Sequence, residues 1–340
     1  MRRIVVLGAG GYFGGAAADL LRRRGVPFET AGRGSGALRV DAGDARSLRE
    51  ALREGDVVLD AAGPFQRRTA ALFEAAIEKR FDVVDLSDCL AYAKTALAMA
   101  PRFERAGIRV VTACSSASAV SAALVRASGV REPVAVRVYL AAASRRSARY
   151  GTSASALDSV GREIEVWREG KACGARGWGE PRAFDFPPPV GCTRCRLVEF
   201  PDALFLPRAF PSLRAVESRA ATRIRGLDVF LSVAARFPGL PSLIRAGLSP
   251  ATVALLRPLG RDGGGLGVEV QPGRGEVRRA ALAGAEGAHF IAVAPAAIVA
   301  RRLAENSVRD TGVVEALEAV PDAELFDLLR DRGVQLTSAP

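Results

Sequence analysis

The sequence predicts an α/β protein that combines a doubly wound parallel sheet with a second α+β domain. Short apolar runs alternate with helical patterns through the first 130 residues, and glycines cluster where the first strand meets the first helix. Strands that are joined by helices pair in parallel, with helices on both faces of the sheet. The alternation breaks after this point, so we place a first domain at 1–130 and a second at 131–294. Amphipathic helices within 295–340 are expected to complete the first domain.

The elements of the first domain are predicted from the spacing of apolar residues, which changes from short apolar runs in strands to a helical period in helices. Strands are predicted at 3–8, 27–33, 37–44, 56–63, 81–87 and 108–114. Helices are predicted at about 12–24, 45–54, 67–80, 92–106 and 117–128. The short apolar strands are typical of a sheet that is buried on both faces.

The second domain has a different pattern, with strands that alternate between apolar and polar residues. Strands are predicted at 134–143, 214–219, 267–270 and 275–283 around a stretch rich in Pro, Gly and Cys at 173–212. This pattern indicates an antiparallel or mixed sheet. Residues 227–259 are helical, apolar and interspersed with Arg, and suit core packing, a lid, a dimer contact or a membrane surface.

Composition places the chain among ordinary globular proteins, with 49% hydrophobic and 25% charged residues in 340. No uninterrupted apolar run reaches the ~18 residues of a membrane-spanning helix. The nearest run, at 290–300, is shorter and carries Pro295. Glycines interrupt the apolar residues at the start too early for a secretory signal. We expect a cytoplasmic protein.

The net charge of +11 does not indicate a nucleic-acid partner. Of the 48 basic residues only Lys79, Lys94 and Lys171 are lysines, and the arginines are spread along the chain without an aromatic platform. Small anionic ligands remain compatible with this charge. We expect no nucleic-acid partner.

The five cysteines indicate neither a disulfide framework nor a metal centre. Their number is odd, and the pair in "CTRC" (192–195) has only half of a zinc-site spacing. The chain contains one histidine, His289, and no second pair of this kind. We expect no metal and interpret "CTRC" as chance spacing in a loop.

The stretch "GAGGYFGG" joins the first strand to the first helix and predicts a site for a dinucleotide diphosphate. It reads as G-x-x-G-x-x-G through Gly8, Gly11 and Gly14, or as a variant through Gly10. The first glycine allows a tight turn, the middle one a close backbone approach, and the last close helix–strand packing. Free N–H groups at the helix start then face the phosphates. Tyr12 and Phe13 lie within this turn.

The end of the second strand favours NADP(H) over NAD(H). NAD sites carry an acidic residue here, whereas this chain has Arg33 and then Ser35, and Glu29 comes too early. A guanidinium holds a 2′-phosphate by charge-assisted hydrogen bonds, worth about 1.5–3 kcal/mol. Asp41, after the third strand, suits either the adenine end of the cofactor or a solvated turn.

Further candidate residues follow the fourth and fifth strands, at the edge where ligands bind in such folds. The loop after the fourth strand suits the cofactor or a simple turn, and consists of Ala62, Gly63, Pro64 and Phe65. Candidate substrate residues at the fifth strand are Asp85, Ser87 and Asp88. Tyr150 and Ser153 are further candidates, in the polar start of a later helix, "RYGTSAS" (149–155). Asp88 and Tyr150 are the weak catalytic candidates. A Tyr-x-x-x-Lys pair is absent, since Ala96 follows Tyr92 and Ala154 follows Tyr150 at that spacing.

These motifs together resemble the saccharopine dehydrogenase-like oxidoreductases. The resemblance rests on "VLGAGGYFGG", "AGR", "VDAGDARSLREAL", "DVVLDAAGPF" and "FDVVDLSD", and more loosely on "FPPPVG", "VEFPDALFLPRAF" and "AVAPAAIVARRLAENSVRDTGVV". It implies a Rossmann domain, NADP binding and hydride transfer to or from a C=N or related bond. By this resemblance Gly8, Gly11, Gly14, Arg33 and the Gly63–Phe65 loop lie along the cofactor.

Two segments depart from the family pattern near the expected nicotinamide end. The family often has Ser-Gly-Glu after the fifth strand and Pro-Gly after the sixth, where this chain has "SDC" (87–89) and "CSSASAV" (114–120). The substrate therefore stays open. Alternatives are an enoyl or carbonyl reductase with a greasy pocket from 227–259, and a non-catalytic NADP(H) sensor or scaffold. We expect a small-molecule substrate and leave a homodimer and a peripheral membrane contact through 227–259 open.

Overall fold

The structure, a computed structural model, describes residues 1–34 and 36–339. The strands are β1 Ile4–Leu7, β2 Glu29–Gly32, β3 Leu38–Arg39, β4 Val57–Asp60, β5 Asp82–Asp85, β6 Arg109–Val111, β7 Pro133–Ala141, β8 Glu163–Arg168, β9 Lys171–Arg176, β10 Arg182–Phe186, β11 Gly191–Val198, β12 Ala215–Ala221, β13 Gly264–Pro272, β14 Arg278–Gly284, β15 Gly312–Val313 and β16 Val334–Ala339. The helices are α1 Tyr12–Arg23, α2 Ala45–Ala51, α3 Ala71–Lys79, α4 Leu90–Ala98, α5 Ala100–Ala106, α6 Ala119–Ala127, α7 Ser144–Ser147, α8 Tyr150–Asp158, α9 Asp202–Ala209, α10 Leu227–Ala234, α11 Leu240–Ala246, α12 Pro250–Leu256, α13 Phe290–Ala304, α14 Ala316–Ala319 and α15 Asp322–Arg330.

Two compact units share the chain. The first contains Met1–Ala119 and Ala292–Leu328, and the second contains Val120–Ile291 and the residues from Leu329 onward. Each unit therefore takes residues from two separated parts of the sequence.

The first unit is built on a seven-stranded parallel sheet in the order β15-β6-β5-β4-β1-β2-β3. This sheet confirms the predicted doubly wound fold and its six predicted strands. Strands β1, β4 and β5 are buried along their whole length, as parallel strands under helices must be. The seventh strand, β15, was not predicted because its two residues give no periodic signal.

Proline limits two helices that the periodicity extends too far. The helix predicted over 92–106 is two helices, α4 and α5, which meet at Met99. Pro101 lies in the first turn of α5, where its missing N–H costs nothing, whereas within one long helix it would remove a hydrogen bond. The helix predicted over 67–80 begins only at Ala71, after a 3₁₀ turn at Phe65–Arg67 that follows Pro64.

The second unit is built on a mixed sheet in the order β10-β11-β12-β7-β13-β14-β16, with the β8–β9 hairpin attached to β12. Strands β7 and β12 pair in parallel and the other neighbours pair antiparallel. This arrangement confirms the predicted α+β domain. The β10–β11 hairpin bends over the sheet, and the Phe184 ring occupies the space above Gly267, where a Cβ would lie 2.4 Å from it.

The end of the chain differs from the helical prediction for 295–340. Helices α13 and α15 form as expected, but the chain then continues as strand β16, which pairs antiparallel with β14. The helical segment therefore ends at Arg330. The pattern in "VQLTSA" is short, and its partner strand lies some 50 residues earlier in the sequence, so nothing local indicates the pairing.

One described helical stretch, Gly287–Ala304, has the length and apolar character of a membrane span, with a mean hydropathy of 1.2. Within the protein, however, 72% of this stretch is buried. Core helices of globular proteins meet the same criteria, so the stretch is weak evidence for a membrane span. Its burial agrees with packing in the protein interior.

Candidate functional site

The turn between β1 and α1 is closed so tightly that only glycine fits at two positions. Gly8 has a φ of +83°, and a Cβ there would lie 2.8 Å from the backbone N of Ala62. A Cβ on Gly14 would lie 2.1 Å from the carbonyl oxygen of Gly8. The start of α1 therefore packs directly on the end of β1, as the sequence motif requires.

The N-terminus of helix α1 is suited to bind an anion. Its N-cap residue, Gly11, has no side chain to cap the helix, and the first turn contains no acidic residue. Gly10 and Gly11 are exposed, and as glycines they have no side chains that could cover the first-turn N–H groups. These N–H groups lack helical partners, and the helix dipole is positive at this end. The turn fits a diphosphate.

Tyr12 and Phe13, which were predicted to lie along the cofactor, are half-buried at the start of α1. Their rings contact each other edge to face with centroids 5.4 Å apart. They border the exposed Gly10–Gly11 backbone in sequence. Their contact with the cofactor stays a prediction.

Arg33 follows β2 directly and is exposed to solvent. Its guanidinium forms no ion pair with any residue that the structure describes. The strand's own carboxylate, Glu29, lies at the opposite end of β2 and contacts Arg3 at 3.5 Å. A free cation therefore stands where an NAD site would have an acid. Ser35, the other residue predicted here, lies outside the described residues.

Asp41 closes a turn before α2. Its Oδ1 accepts the N–H of Gly43 at 2.9 Å, and its own N–H donates to Ser47 Oγ at 2.9 Å. These contacts match the turn interpretation of Asp41. Its approach to the adenine end of the cofactor stays a prediction.

The loop after β4 is held by an ion pair that the sequence did not single out. Asp60, the last residue of β4, is fully buried, and its Oδ1 accepts the N–H of Ala62 at 2.9 Å. The Arg68 guanidinium lies 2.9 Å from Asp60 Oδ2 and donates to the Ala62 carbonyl oxygen at 2.8 Å. The pair thus fixes both the N–H and the C=O of Ala62. No sequence signal distinguished Arg68 among so many arginines.

The rest of this loop turns back to the protein interior. The Gly63–Pro64 peptide bond is cis, Gly63 is exposed, and Phe65 is buried with 6% of its surface accessible. The Phe65 ring lies 5.4 Å from the ring of Tyr92. The exposed residue of the predicted cofactor loop is therefore Gly63. It lies between the hydrogen-bonded backbone of Ala62 and the buried side chain of Phe65.

Asp85, a predicted substrate residue, ends β5 beside Asp60, to which it is paired in the strand register. It is fully buried, and its Oδ1 accepts the N–H groups of Ser87 at 3.0 Å and Ala113 at 2.9 Å. Burial raises the pKa of Asp85 to about 7, against the opposing effect of these two hydrogen bonds. Its Oδ2 has no hydrogen-bond partner among the described residues. Ala113 holds a left-handed φ of +53°, a strained conformation for alanine.

Tyr92 is the second residue that sequence reasoning missed. Its hydroxyl is buried without a hydrogen-bond partner in the described part of the chain. Burial, and then the nearby carboxyl groups of Asp60 and Asp85, raise the pKa of the Tyr92 phenol well above its usual value. We call Asp60, Arg68, Asp85 and Tyr92 the buried polar cluster. Tyr92 is not part of a Tyr-x-x-x-Lys pair, so no sequence motif marks it.

Ser87 and Asp88 lie next to the cluster but have local contacts. Ser87 is fully buried, and its Oγ accepts the N–H of Cys89 at 3.1 Å, just before α4. Asp88 is half-buried and accepts a hydrogen bond from Gln66 at 3.2 Å. Ser87 therefore shapes the turn. The direct role predicted for Asp88 stays a prediction.

The remaining predicted substrate residues, Tyr150 and Ser153, belong to the second unit. Tyr150 is the first residue of α8, and both side chains are partly exposed. The N–H of Ser153 donates to the Arg149 carbonyl oxygen at 2.9 Å. Their roles stay predictions.

The described residues contain no group of three or more His, Cys, Asp or Glu side chains that is placed to hold a metal ion. The "CTRC" pair lies in strand β11, not in a loop as expected. Residues three apart on a strand face opposite sides, and accordingly Cys192 is exposed while Cys195 is buried. Burial raises the pKa of the Cys195 thiol to about 12.

Comparison with known proteins agrees with this geometry. Residues 4–111 match the model of the saccharopine dehydrogenase NADP binding domain. The match covers β1 to β6 and includes the glycine turn, Arg33 and the buried polar cluster. No curated protein matches the chain.

One solved structure shares the fold of the whole chain, and others are less similar. Saccharopine dehydrogenase (L-Glu forming) from Saccharomyces cerevisiae is 14% identical, with a TM-score of 0.67, and each chain covers 100% of the other. A probable dehydrogenase from Thermotoga maritima is 10% identical with a TM-score of 0.44, over 99% of this chain and 98% of that one. The dehydrogenase WlbA from Thermus thermophilus is 11% identical with a TM-score of 0.41, over 97% and 95%.

The cofactor class and the reaction class follow from the matched domain. An NADP-binding domain confirms the predicted cofactor, NADP(H), and the glycine turn and the free Arg33 fit it. The structural similarity to the yeast enzyme shows a common fold, whereas the low sequence identity leaves the substrate open. The chain is thus an NAD(P)-dependent oxidoreductase whose residues 4–111 form a domain of the saccharopine dehydrogenase NADP-binding type.

Proposed function

We propose that the protein transfers a hydride between NADP(H) and a C=N bond of a small metabolite. The supporting observation is the charge of the buried polar cluster, in which two aspartates end adjacent strands and a single cation, Arg68, pairs with one of them. A protonated C=N group is a cation and loses its charge when it accepts a hydride. A carbonyl group gains negative charge instead and needs a donor at that place. This edge of the sheet has two carboxyl groups and one cation, and it therefore favours binding of a protonated C=N group.

The residues of the chain supply position and charge, and the bound nicotinamide supplies the hydride. The glycine turn holds the diphosphate, and Arg33 holds the 2′-phosphate. Asp85 is poised to ionise near neutral pH, since its pKa is about 7. A cation bound nearby stabilises the carboxylate form of Asp85, so binding of a protonated imine and release of the Asp85 proton are coupled.

A carbonyl or enoyl reductase is the second candidate, and Tyr92 favours it. Its buried hydroxyl has no hydrogen-bond partner among the described residues, and its raised pKa keeps the proton on the phenol. Such a phenol is a hydrogen-bond donor for a substrate oxygen. The Tyr92→Phe variant separates the two candidates, because C=N reduction needs no donor from this residue.

The test follows NADPH oxidation with cyclic imines, with mixtures of amino acids and 2-oxo acids, with enoyl thioesters and with simple ketones. We expect turnover with a C=N substrate that survives Tyr92→Phe and falls in Asp85→Asn. Turnover confined to enoyl or carbonyl substrates and abolished by Tyr92→Phe would establish the second candidate instead. Tight NADPH binding with no turnover across all classes would indicate a sensor and contradict both.

A further inference from the structure

The helices between residues 227 and 259 expose an unusual amount of apolar surface. Counted over the described residues, nine large apolar side chains are exposed in the whole chain, and seven of them lie in this segment. We call these seven the apolar face: Val229, Phe230, Val233, Phe237, Leu243, Leu255 and Leu259. Phe230 exposes 52% of its surface and Leu255 exposes 77%. Scattered single apolar residues are normal on a protein surface, but such a concentration marks a binding surface.

Helix α10 has apolar residues on its exposed side as well as on its buried side. Leu231 and Ala234 are buried, and Leu231 belongs to a core cluster of the second unit that includes Trp178. Val229, Phe230 and Val233 lie on the other side of the same helix and face solvent. Core packing therefore accounts for one side of α10 only. The other side has no partner within the described residues of this chain.

The three helices are held in place by contacts with one another and with α8. Helix α10 contacts α11, and both α11 and α12 contact α8. The Arg245 guanidinium fixes α11 to this support by donating to the Val160 carbonyl oxygen at 3.1 Å. The apolar face is therefore a fixed feature of the second unit and not a set of unrelated side chains.

The segment that carries the apolar face is rich in cations and poor in carboxylates. The sequence between 223 and 261 contains six arginines and one acidic residue, Asp228. The Asp228 carboxylate accepts hydrogen bonds from the N–H and the hydroxyl of Thr222, at 2.9 and 2.7 Å, so it faces its own turn. None of these six arginines forms an ion pair with a carboxylate of the described residues. Arg223 and Arg245 donate to backbone carbonyl oxygens, and the side chains without such a contact in the described part of the chain are those of Arg225, Arg236, Arg257 and Arg261.

From this combination we infer that the apolar face binds an anionic lipid bilayer. Amphipathic helices with Phe and Leu on one side and Arg around them lie in the interfacial region, where the apolar residues enter the acyl boundary and the guanidiniums meet lipid phosphates. A second copy of the chain fits less well. A symmetric dimer through this face would bring the same unpaired arginines of two copies together, and like charges repel.

The proposal is independent of the substrate, and its test uses the whole 340-residue chain. The protein is floated with vesicles of phosphatidylcholine alone or of phosphatidylcholine mixed with phosphatidylglycerol. We expect binding to the mixed vesicles that weakens as salt is added, with at least about tenfold less binding to neutral ones. The double variant Phe230→Ser/Phe237→Ser should lose at least about tenfold in binding to mixed vesicles, because its apolar contact is removed.

Matched variants test whether vesicle binding depends on the apolar face and its arginines or on any exposed apolar residue and any arginine. Leu336→Ser changes an exposed apolar residue elsewhere and should bind as the unmodified protein does. Arg225→Gln/Arg236→Gln/Arg257→Gln should abolish the preference for anionic vesicles, whereas Arg24→Gln/Arg105→Gln/Arg309→Gln should keep it. Thermal unfolding and NADPH binding report that each variant is folded.

Three results would overturn the proposal. The first is that the protein binds neither kind of vesicle, and the second is that it binds both kinds equally with no effect of salt. The third is that the variants of the apolar face and their controls lose vesicle binding to the same extent. Sedimentation that shows a dimer which Phe230→Ser/Phe237→Ser dissociates, together with no vesicle binding, would assign the face to a second copy instead. None of these results bears on NADPH turnover, so the proposed reaction and this surface fail separately.

Discussion

Asp85 shows how one residue acquires a property that its sequence position only partly predicts. Its place at the carboxyl end of a predicted strand marks it as a site candidate, and this much is readable from "FDVVDLSD". Its complete burial, its pairing with Asp60 in the register and its single unpartnered oxygen depend on neighbours that are distant in sequence. The raised pKa of Asp85 is a consequence of that environment.

Asp85 should make the protein less stable as the pH rises. The pKa of an aspartate in an unfolded chain is about 3.9, and that of Asp85 in the folded protein is about 7. Between these values the unfolded chain releases a proton that the folded protein keeps, so the free energy of unfolding falls as pH increases from about 4 to about 7. The loss is on the order of 4 kcal/mol. Asp85→Asn should remove it.

The measurement is urea unfolding of the unmodified protein and of Asp85→Asn at several pH values across this range. The difference in the free energy of unfolding between the two proteins should change steadily in favour of the variant as the pH rises. Asp41→Asn, in an exposed turn, is the control and should follow the unmodified protein. Parallel curves for all three proteins would show that Asp85 ionises normally.

At the scale of elements, the glycine turn and the loop after β4 are held against each other by backbone contacts. The absent Cβ of Gly8 leaves room for the backbone of Ala62, whose N–H and C=O are fixed by Asp60 and Arg68. The sequence motif predicted the first of these features because glycine spacing is a local signal. The ion pair could not be predicted, since Asp60 and Arg68 are common residue types and no local pattern pairs them.

The two neighbouring glycines of α1 should respond oppositely to alanine. A Cβ on Gly14 would overlap the Gly8 carbonyl oxygen at 2.1 Å, whereas a Cβ on Gly15 would lie 3.5 Å from the Ala9 carbonyl oxygen, an ordinary contact. Gly14→Ala should lower the free energy of unfolding by roughly 1–3 kcal/mol and weaken NADPH binding. Gly15→Ala should be neutral or stabilise by up to about 1 kcal/mol, because alanine favours a helix. Equal urea midpoints for both variants would contradict the close approach.

Removing Arg68 should destabilise the first unit strongly. Arg68→Met leaves the buried Asp60 carboxylate without its cation, and breaking a buried pair in this way costs about 3–5 kcal/mol. Its exposed neighbour Arg67 is the matched control, and Arg67→Met should change the free energy of unfolding by less than about 0.5 kcal/mol. Urea unfolding measures both. The account of the loop fails if the two variants unfold alike.

At the scale of the whole molecule, the class of each sheet was predictable and the course of the chain was not. Parallel strands under helices produce continuous apolar runs such as Ile4–Leu7, which identified the first sheet. The two-residue strand Gly312–Val313 and the last strand, Val334–Ala339, carry no comparable signal, because their partners lie far away in sequence. The helix break at Met99 is different, because Pro101 marks it locally and the sequence alone could have predicted it.

The central claim is that the protein holds a dinucleotide diphosphate at the glycine turn and recognises NADPH through Arg33. Calorimetric titration of the unmodified protein and of Arg33→Ala with NADPH and with NADH tests it most directly, with Arg24→Ala as an exposed control. We expect the unmodified protein and the control to prefer NADPH by about 10- to 150-fold, and Arg33→Ala to lose most of that preference while it still binds NADH. Equal affinities for NADPH and NADH in the unmodified protein would contradict the role of Arg33, and no binding of either nucleotide would contradict the site itself.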